Sequence, residues 1–84
     1  MEQLETGMMD RAKSGHDAGK VYVITKVEEA YVYLVDGKVR TLDKPKKKKK
    51  KHVQLIKESF DIQGATDVDI KRWIKIWNKE DNQN

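Results

Sequence analysis

The sequence predicts a mainly β protein: a small barrel of about five short strands, followed by an added C-terminal α-helix. Between residues 8 and 56, short runs rich in Val, Ile, Thr and Tyr alternate with closely spaced turn residues, which is typical of small barrels. Near the C terminus, the apolar residues change to helical spacing. The chain has 84 residues, of which 37% are hydrophobic, so there is room for one small core.

The first three strands can be placed in order. Gly7 opens a short extended segment at residues 8–13, and residues 20–28 (KVYVITKVE) form the longest run of strand-favouring residues. A turn at residues 14–19 (SGHDAG) separates them. Residues 31–35 (YVYLV) alternate, so one face carries Val and Leu and the other carries the tyrosines.

The last two strands are predicted on either side of a basic segment. Asp36-Gly37 is a two-residue hairpin signal, which makes residues 39–42 the predicted returning strand. Pro45 and the lysines after it interrupt the pattern. Residues 52–56 (HVQLI) resume it, with Val53 and Leu55 facing inward.

An amphipathic helix is predicted at about residues 67–79. Thr66 or Asp67 is the expected N-cap, and Asp69 adds negative charge to the first turn. Four apolar residues follow at helical spacing: Ile70, Trp73, Ile74 and Trp77. We expect this face to dock on the barrel, because so small a chain has few other ways to enlarge its core. The alternative is a face offered to a protein partner.

These elements predict two regions. Residues 1–57 form the barrel and include a basic loop at 44–51. Residues 58–84 comprise a linker, the amphipathic helix and a polar tail.

The charge of the chain is concentrated in one segment. The formal net charge is +4, and it becomes −3 without the seven lysines Lys44 and Lys46–Lys51. A local block of one sign indicates a polyanionic partner. The run is predicted to act as a flexible cationic arm that neutralises phosphates and releases counterions. The alternatives are a solvated loop that protects a strand edge, or a nuclear import signal.

Composition argues against several other classes of protein. Cys is absent, so disulfides and thiolate metal sites are excluded, which fits a reducing cytosol. No signal-peptide-like run or membrane-spanning stretch is present, and we expect a cytoplasmic protein. His16 and His52 lack an evident catalytic partner, and no nucleophile elbow, P-loop or metal-ligand spacing is found. The sequence therefore predicts no enzymatic activity, no cofactor and no metal.

The ordered motifs carry a family resemblance. Gly7, the turn at residues 14–19 and the hydrophobic run at residues 21–24 resemble a KOW motif. With the lysine run and residues 52–55 added, the chain over roughly residues 4–57 is similar to the single-KOW large-subunit ribosomal proteins of archaea and eukaryotes. It is closer still to the short bacterial KOW-domain RNA-binding proteins. One departure is Asp10, where the family usually has an aliphatic residue.

The resemblance implies an SH3-like barrel of KOW type that binds RNA, commonly ribosomal RNA. It implies contacts through the loop after the first strand and through neighbouring basic residues. The predicted RNA-binding residues are Lys13, Ser14, Gly15, His16, Lys20, Arg40, Lys44, Lys46, Lys47, Lys48, Lys49, Lys50 and Lys51. Arg11 is a secondary candidate, because Arg can grip phosphate or stack on a base.

Three tyrosines are further candidates. Tyr22, Tyr31 and Tyr33 can stack on unpaired bases, but such tyrosines more often cover a barrel surface or pack under a helix. The predicted function is non-catalytic binding of structured RNA, with ribosomal RNA or the ribosome as the expected target. Ribosomal or transcription proteins are further candidate partners.

Two alternatives to RNA binding remain. The first is a protein-interaction adaptor that uses the barrel and the Trp-bearing helix. The second is attachment to anionic membranes, which the absence of an apolar anchor near the lysines disfavours.

Overall fold

The computed structural model describes residues 4–11 and 19–81, which form one antiparallel sheet and one helix. The elements are β1 Met8–Arg11, β2 Val21–Val27, β3 Tyr31–Val35, β4 Lys46–Lys49, β5 Leu55–Ser59 and α1 Asp67–Asp81. In the sheet, the strands lie in the order β4-β3-β2-β1-β5. The fold is mainly β with a C-terminal helix, a small SH3-like barrel, which confirms the predicted fold class.

Two apolar layers stabilise the sheet, one on each face. Alternation along β2 separates them, because successive side chains of a strand point to opposite faces. The layer inside the barrel contains Tyr22, Ile24, Val32 and Leu34. The layer outside contains Met9, Val21, Val23, Val35 and, from the helix, Ile70. Helix α1 therefore covers part of the outer face of the sheet.

The helix begins as the sequence predicts. Thr66 is the N-cap: its Oγ1 accepts a hydrogen bond from the backbone N–H of Asp69 (3.3 Å), and Asp69 Oδ2 accepts one from the backbone N–H of Thr66 (3.0 Å). This reciprocal pair is a capping box. Asp67 instead accepts a hydrogen bond from the backbone N–H of Leu42 at 2.8 Å, which links the loop between β3 and β4 to the start of the helix.

The predicted apolar face of the helix is confirmed. Ile70 is fully buried, and Trp73, Ile74 and Trp77 pack against the outer layer. The ring of Trp73 stacks on that of Phe60 with centroids 4.8 Å apart. The helix therefore enlarges the core, as expected. No helix within the described residues is both long and apolar enough to span a membrane.

The prediction of a returning strand at residues 39–42 was wrong. Asp36 Oδ1 accepts hydrogen bonds from the backbone N–H groups of Lys38 (2.8 Å) and Arg40 (2.9 Å), and these bonds close a compact loop. Such side-chain bonds compete with a strand ladder for the same backbone groups. The loop then leads to the strand that does pair with β3.

That strand is the lysine run, which was predicted to be a flexible loop. Lys46–Lys49 form β4 and pair with β3, with Leu34 opposite Lys46 and Tyr31 opposite Lys49. A short 3₁₀ turn, Lys50–His52, connects β4 to β5. The last strand also lies later than predicted, at Leu55–Ser59. Lysine is a poor strand former, but pairing with an existing edge and packing of its aliphatic stem override that preference.

Candidate nucleic-acid interface

The lysines of β4 alternate between the two faces of the sheet. Side chains directly opposite each other in an antiparallel pair share a face. Lys46 and Lys48 lie opposite Leu34 and Val32, two residues of the inner layer. These two lysines therefore point into the barrel.

Both inward lysines have partners there. The Nζ atom of Lys48 forms an ion pair with Asp10 Oδ2 at 2.8 Å, and the Lys48 side chain is only 18% exposed. The Nζ atom of Lys46 lies 5.4 Å from the centroid of the Tyr22 ring, within cation–π range. Tyr22 is buried in the inner layer, so it offers no stacking platform. Lys48 was predicted to contact RNA, but its ammonium group forms an ion pair with Asp10 instead.

The other two lysines of β4 lie beside tyrosines on the outer face. Lys47 and Lys49 are exposed and lie opposite Tyr33 and Tyr31, which are half-buried. The Nζ atom of Lys47 lies 4.3 Å from the centroid of the Tyr31 ring. We call these four side chains the tyrosine–lysine surface. Val35 is the residue of β3 that belongs to the same apolar layer as Ile70 of the helix, and Tyr31 and Tyr33 are not part of that layer.

Tyr33 is held in place by two neighbours from the β2 side. Its hydroxyl donates a hydrogen bond to Glu28 Oε1 at 3.1 Å. The Nζ atom of Lys26 lies 5.4 Å from the Tyr33 ring centroid and 3.5 Å from Glu28 Oε2. Both rings therefore have a lysine ammonium within cation–π range, and the Tyr33 hydroxyl is in addition held by Glu28.

A groove of about 450 Å³ continues the tyrosine–lysine surface beyond Tyr31. We call it the Tyr31 groove; its lining residues are Ala30, Tyr31, Lys49, Lys50 and Lys51. The backbone N–H of Lys50 donates a hydrogen bond to the carbonyl of Ala30 at 3.0 Å, which fixes the 3₁₀ turn against the β2–β3 connection. One aromatic wall and three lysines thus converge on one opening.

The other predicted site residues that the structure describes lie away from this surface. Lys20 precedes β2, whereas the Tyr31 groove adjoins the connection that follows β2, and a seven-residue strand spans roughly 20 Å. Arg40 and Lys44 are exposed in the loop between β3 and β4. Lys13, Ser14, Gly15 and His16 lie outside the described residues. The described part of the predicted set is therefore split between two ends of the barrel.

Arg11, the secondary candidate, lies against the helix. Its guanidinium carbon is 4.7 Å from the centroid of the Trp77 ring. At this distance the charge is attracted by the electrons of the ring face. The Arg11 side chain thus links β1 to the far end of α1.

Sequence reasoning missed two features of how the basic residues are arranged in space. It treated the lysines as equivalent, although strand alternation separates Lys46 and Lys48 from Lys47 and Lys49. It also missed the basic residues of the helix, Lys71 and Lys75, whose i, i+4 spacing places them on one helix face beside Lys20. The spacing of Lys71 and Lys75 can be read from the sequence, but their proximity to Lys20 cannot.

The described residues contain no cluster of potential metal ligands. In residues 4–11 and 19–81, no group of three or more His, Cys, Asp or Glu side chains could hold a metal ion. His52 is exposed in the 3₁₀ turn. In comparisons with known proteins, no protein-family model and no curated protein matches the chain.

Proposed function

We propose that the protein is a non-catalytic RNA-binding protein of KOW type that recognises structured RNA, with ribosomal RNA as the first candidate. The observation that carries the proposal is the position of Tyr31, between Lys47 on one side and the lysines of the Tyr31 groove on the other. The resemblance of residues 4–57 to KOW-domain proteins supports the same function and adds the turn at residues 14–19 as a second contact.

The chemistry of the surface suits an unpaired nucleotide. An aromatic ring can stack on any base, which favours the loops and bulges of a folded RNA. The phosphates on either side would be neutralised by four lysines that point outward or border the groove: Lys47, Lys49, Lys50 and Lys51. Lysine is a point charge without a fork of donors, so the surface supplies affinity more than sequence specificity.

The structure gives less support to a protein-interaction adaptor that binds through the Trp-bearing helix. It required the Trp-bearing face of α1 to be open to a partner. Trp73 stacks on Phe60, and Trp77 packs on the outer layer beneath Arg11. These rings therefore contribute to the protein's own core.

A salt titration of RNA binding tests the proposal. Ribosomal RNA fragments, unrelated RNA and duplex DNA would be titrated between 50 and 200 mM salt. If all four lysines contact single-stranded phosphates, the log–log slope is about −2.8, which corresponds to roughly 50-fold weaker binding across this range. The variant Lys47→Ala/Lys49→Ala should flatten the slope by about 1.4.

The variant Lys71→Ala/Lys75→Ala is the matched control, because it removes the same charge from exposed positions on the helix. It should leave the slope nearly unchanged. Equal losses in both variants, or duplex DNA binding as tightly as RNA, would mean that the chain acts as a general polycation and would contradict the proposal.

A further inference from the structure

A second basic groove, of about 500 Å³, lies at the other end of β2 between the helix and the β3–β4 loop. Four lysines border it: Lys20, Lys38, Lys71 and Lys75. One acidic side chain, Asp36, is also part of the lining. Since four lysines border the groove and only one carboxylate does, its lining carries a net positive charge. The Oδ1 atom of Asp36 is directed at the loop backbone, where it accepts two hydrogen bonds. We call it the helix groove.

The walls of the helix groove are fixed by the fold. On the helix, Lys71, Ile74, Lys75 and Asn78 line it at i, i+3, i+4 and i+7, which is a single helix face about 10 Å long. On the loop side, Gly37 has φ +81° and approaches the helix so closely that an added Cβ would overlap the carbonyl oxygen of Asp67. The groove is therefore formed before any ligand arrives.

The apolar part of the helix groove is aliphatic. Val39 is 75% exposed at its rim, and Val21 and Ile74 contribute to its lining. Among the described residues that line it, none is aromatic. The groove thus lacks a platform for a nucleotide base but carries an aliphatic surface flanked by cations.

We propose that the helix groove binds a short acidic peptide segment of a protein partner. An aliphatic side chain of the segment packs on Val39 and Ile74, and its carboxylates pair with Lys71, Lys75 and Lys38. A 10 Å face accommodates about three residues of an extended chain. This binding activity goes beyond the proposed RNA binding and does not depend on it, because the two sites occupy opposite ends of β2.

The test is fluorescence anisotropy with the full chain and a fluorescein-labelled peptide of sequence Glu-Asp-Leu-Asp-Ile-Glu. The variant Lys71→Glu/Lys75→Glu should weaken binding at least about tenfold, because it replaces attraction with repulsion at two positions. Val39→Ser should weaken it roughly fivefold by removing apolar contact. A peptide with Ser in place of Leu and Ile should bind more weakly than the parent peptide.

Two controls locate the binding. Lys47→Glu/Lys49→Glu makes the same charge change on the tyrosine–lysine surface and should leave peptide affinity within about twofold, since single rim charges contribute little at a distance. Circular dichroism verifies that each variant is folded.

Several outcomes would overturn the proposal. They are unchanged affinity in Lys71→Glu/Lys75→Glu, equal loss in both charge-reversal variants, or tight binding of the Ser peptide. Loss of RNA affinity in Lys71→Glu/Lys75→Glu without any peptide binding would assign the groove to nucleic acid instead. RNA binding that fails while peptide binding follows these expectations would contradict only the proposed function.

Discussion

The Nζ atom of Lys48 lies 2.8 Å from Oδ2 of Asp10, a residue with no solvent-exposed surface. The second oxygen of the carboxylate, Oδ1, accepts a hydrogen bond from the backbone N–H of Gln54 at 2.7 Å. Asp10 lies on β1 and Lys48 on β4, two strands that are not neighbours in the sheet. One buried carboxylate thus links the edge strand and the entry to β5 across the barrel.

Breaking this ion pair should destabilise the barrel strongly. Lys48→Ala leaves the Asp10 carboxylate buried without its counter-charge, which costs about 3 kcal/mol or more of the free energy of unfolding. The matched control is Lys47→Ala, one residue earlier on the exposed face, where we expect a change within about 0.5 kcal/mol. Urea unfolding measures both, and equal stabilities of the two variants would contradict the structural role of Lys48.

Removing the Tyr31 ring should weaken RNA binding without unfolding the protein. Tyr31→Ala deletes the aromatic wall of the Tyr31 groove, and loss of a base–aromatic stack costs about 1–3 kcal/mol of binding free energy. Tyr31→Phe keeps the ring and should bind within about twofold of the wild type. Anisotropy with a labelled RNA hairpin measures both affinities. Equal affinity of the Ala and Phe variants would exclude stacking at this position.

Substitution of Gly37 should be more costly than the same substitution at Gly64. Both residues have positive φ, +81° and +77°, so Ala at either position carries the backbone penalty of about 1 kcal/mol. At Gly64 a Cβ meets nothing within 4 Å, whereas at Gly37 it would collide with the backbone at Asp67. Thermal unfolding should show the lower midpoint for Gly37→Ala. Equal midpoints would mean that the loop does not press against the helix.

The capping box makes helix stability depend on pH in acid. Hydrogen bonds from the backbone and then the side chain of Thr66 hold the pKa of Asp69 below its ordinary value of 3.8. A carboxyl group whose pKa is lowered by folding stabilises the fold above its unfolded pKa, and that contribution is lost as pH falls through the folded pKa. Asp69→Asn removes the charge.

The midpoint difference between wild type and Asp69→Asn should therefore be constant above about pH 5. It should shrink once the pH falls below 3.8. Thermal scans followed at a helix-sensitive wavelength measure it. A difference that persists at low pH would show that the Asp69 charge is not what stabilises the cap.

The parts of the fold that were predicted correctly are those in which one local pattern decides the outcome. Residues 20–28 and 31–35 contain β-branched and aromatic residues in alternation, and they match β2 and β3. The helical spacing of Ile70 and Trp73 identified the buried helix face, and Thr66 identified its start. In each case the side chains themselves carry the preference.

Prediction failed where a distant residue decides. The lysine run has no strand preference, and its place in the sheet depends on the free edge of β3 and on Asp10, 38 residues away from Lys48. The sequence showed Asp10 as a residue that differs from the usual KOW motif, but it did not show that Lys48 is its partner. Likewise, Asp36-Gly37 predicts a tight hairpin, whereas the fit of Gly37 against the helix belongs to the tertiary structure.

The composition of the sequence identified the basic segment of the candidate site, but not which of its side chains face solvent. The lysine run was identified as basic, yet only strand alternation distinguishes Lys47 and Lys49, which face solvent, from Lys48, which pairs with Asp10. Tyr31 and Tyr33 were correctly placed on the strand face opposite Val32 and Leu34, but the sequence did not decide between the barrel surface and the space under the helix. Tyr22 is buried, while Tyr31 remains beside the lysines.

Because β4 consists of four identical residues, its side chains do not specify the register in which it pairs with β3. In most strands, alternation of apolar and polar residues fixes the register, and a slip by one residue is penalised at every position. In β4, a slip by one residue places a lysine opposite each residue of β3 again, so the side chains do not penalise it. The alignment must come from the end of the strand, where Lys50 is hydrogen-bonded to Ala30, and from the buried carboxylate of Asp10. Insertion of one additional lysine would barely change the composition. It would nevertheless change which lysine pairs with the Asp10 carboxylate, or shift the register of β4 against β3.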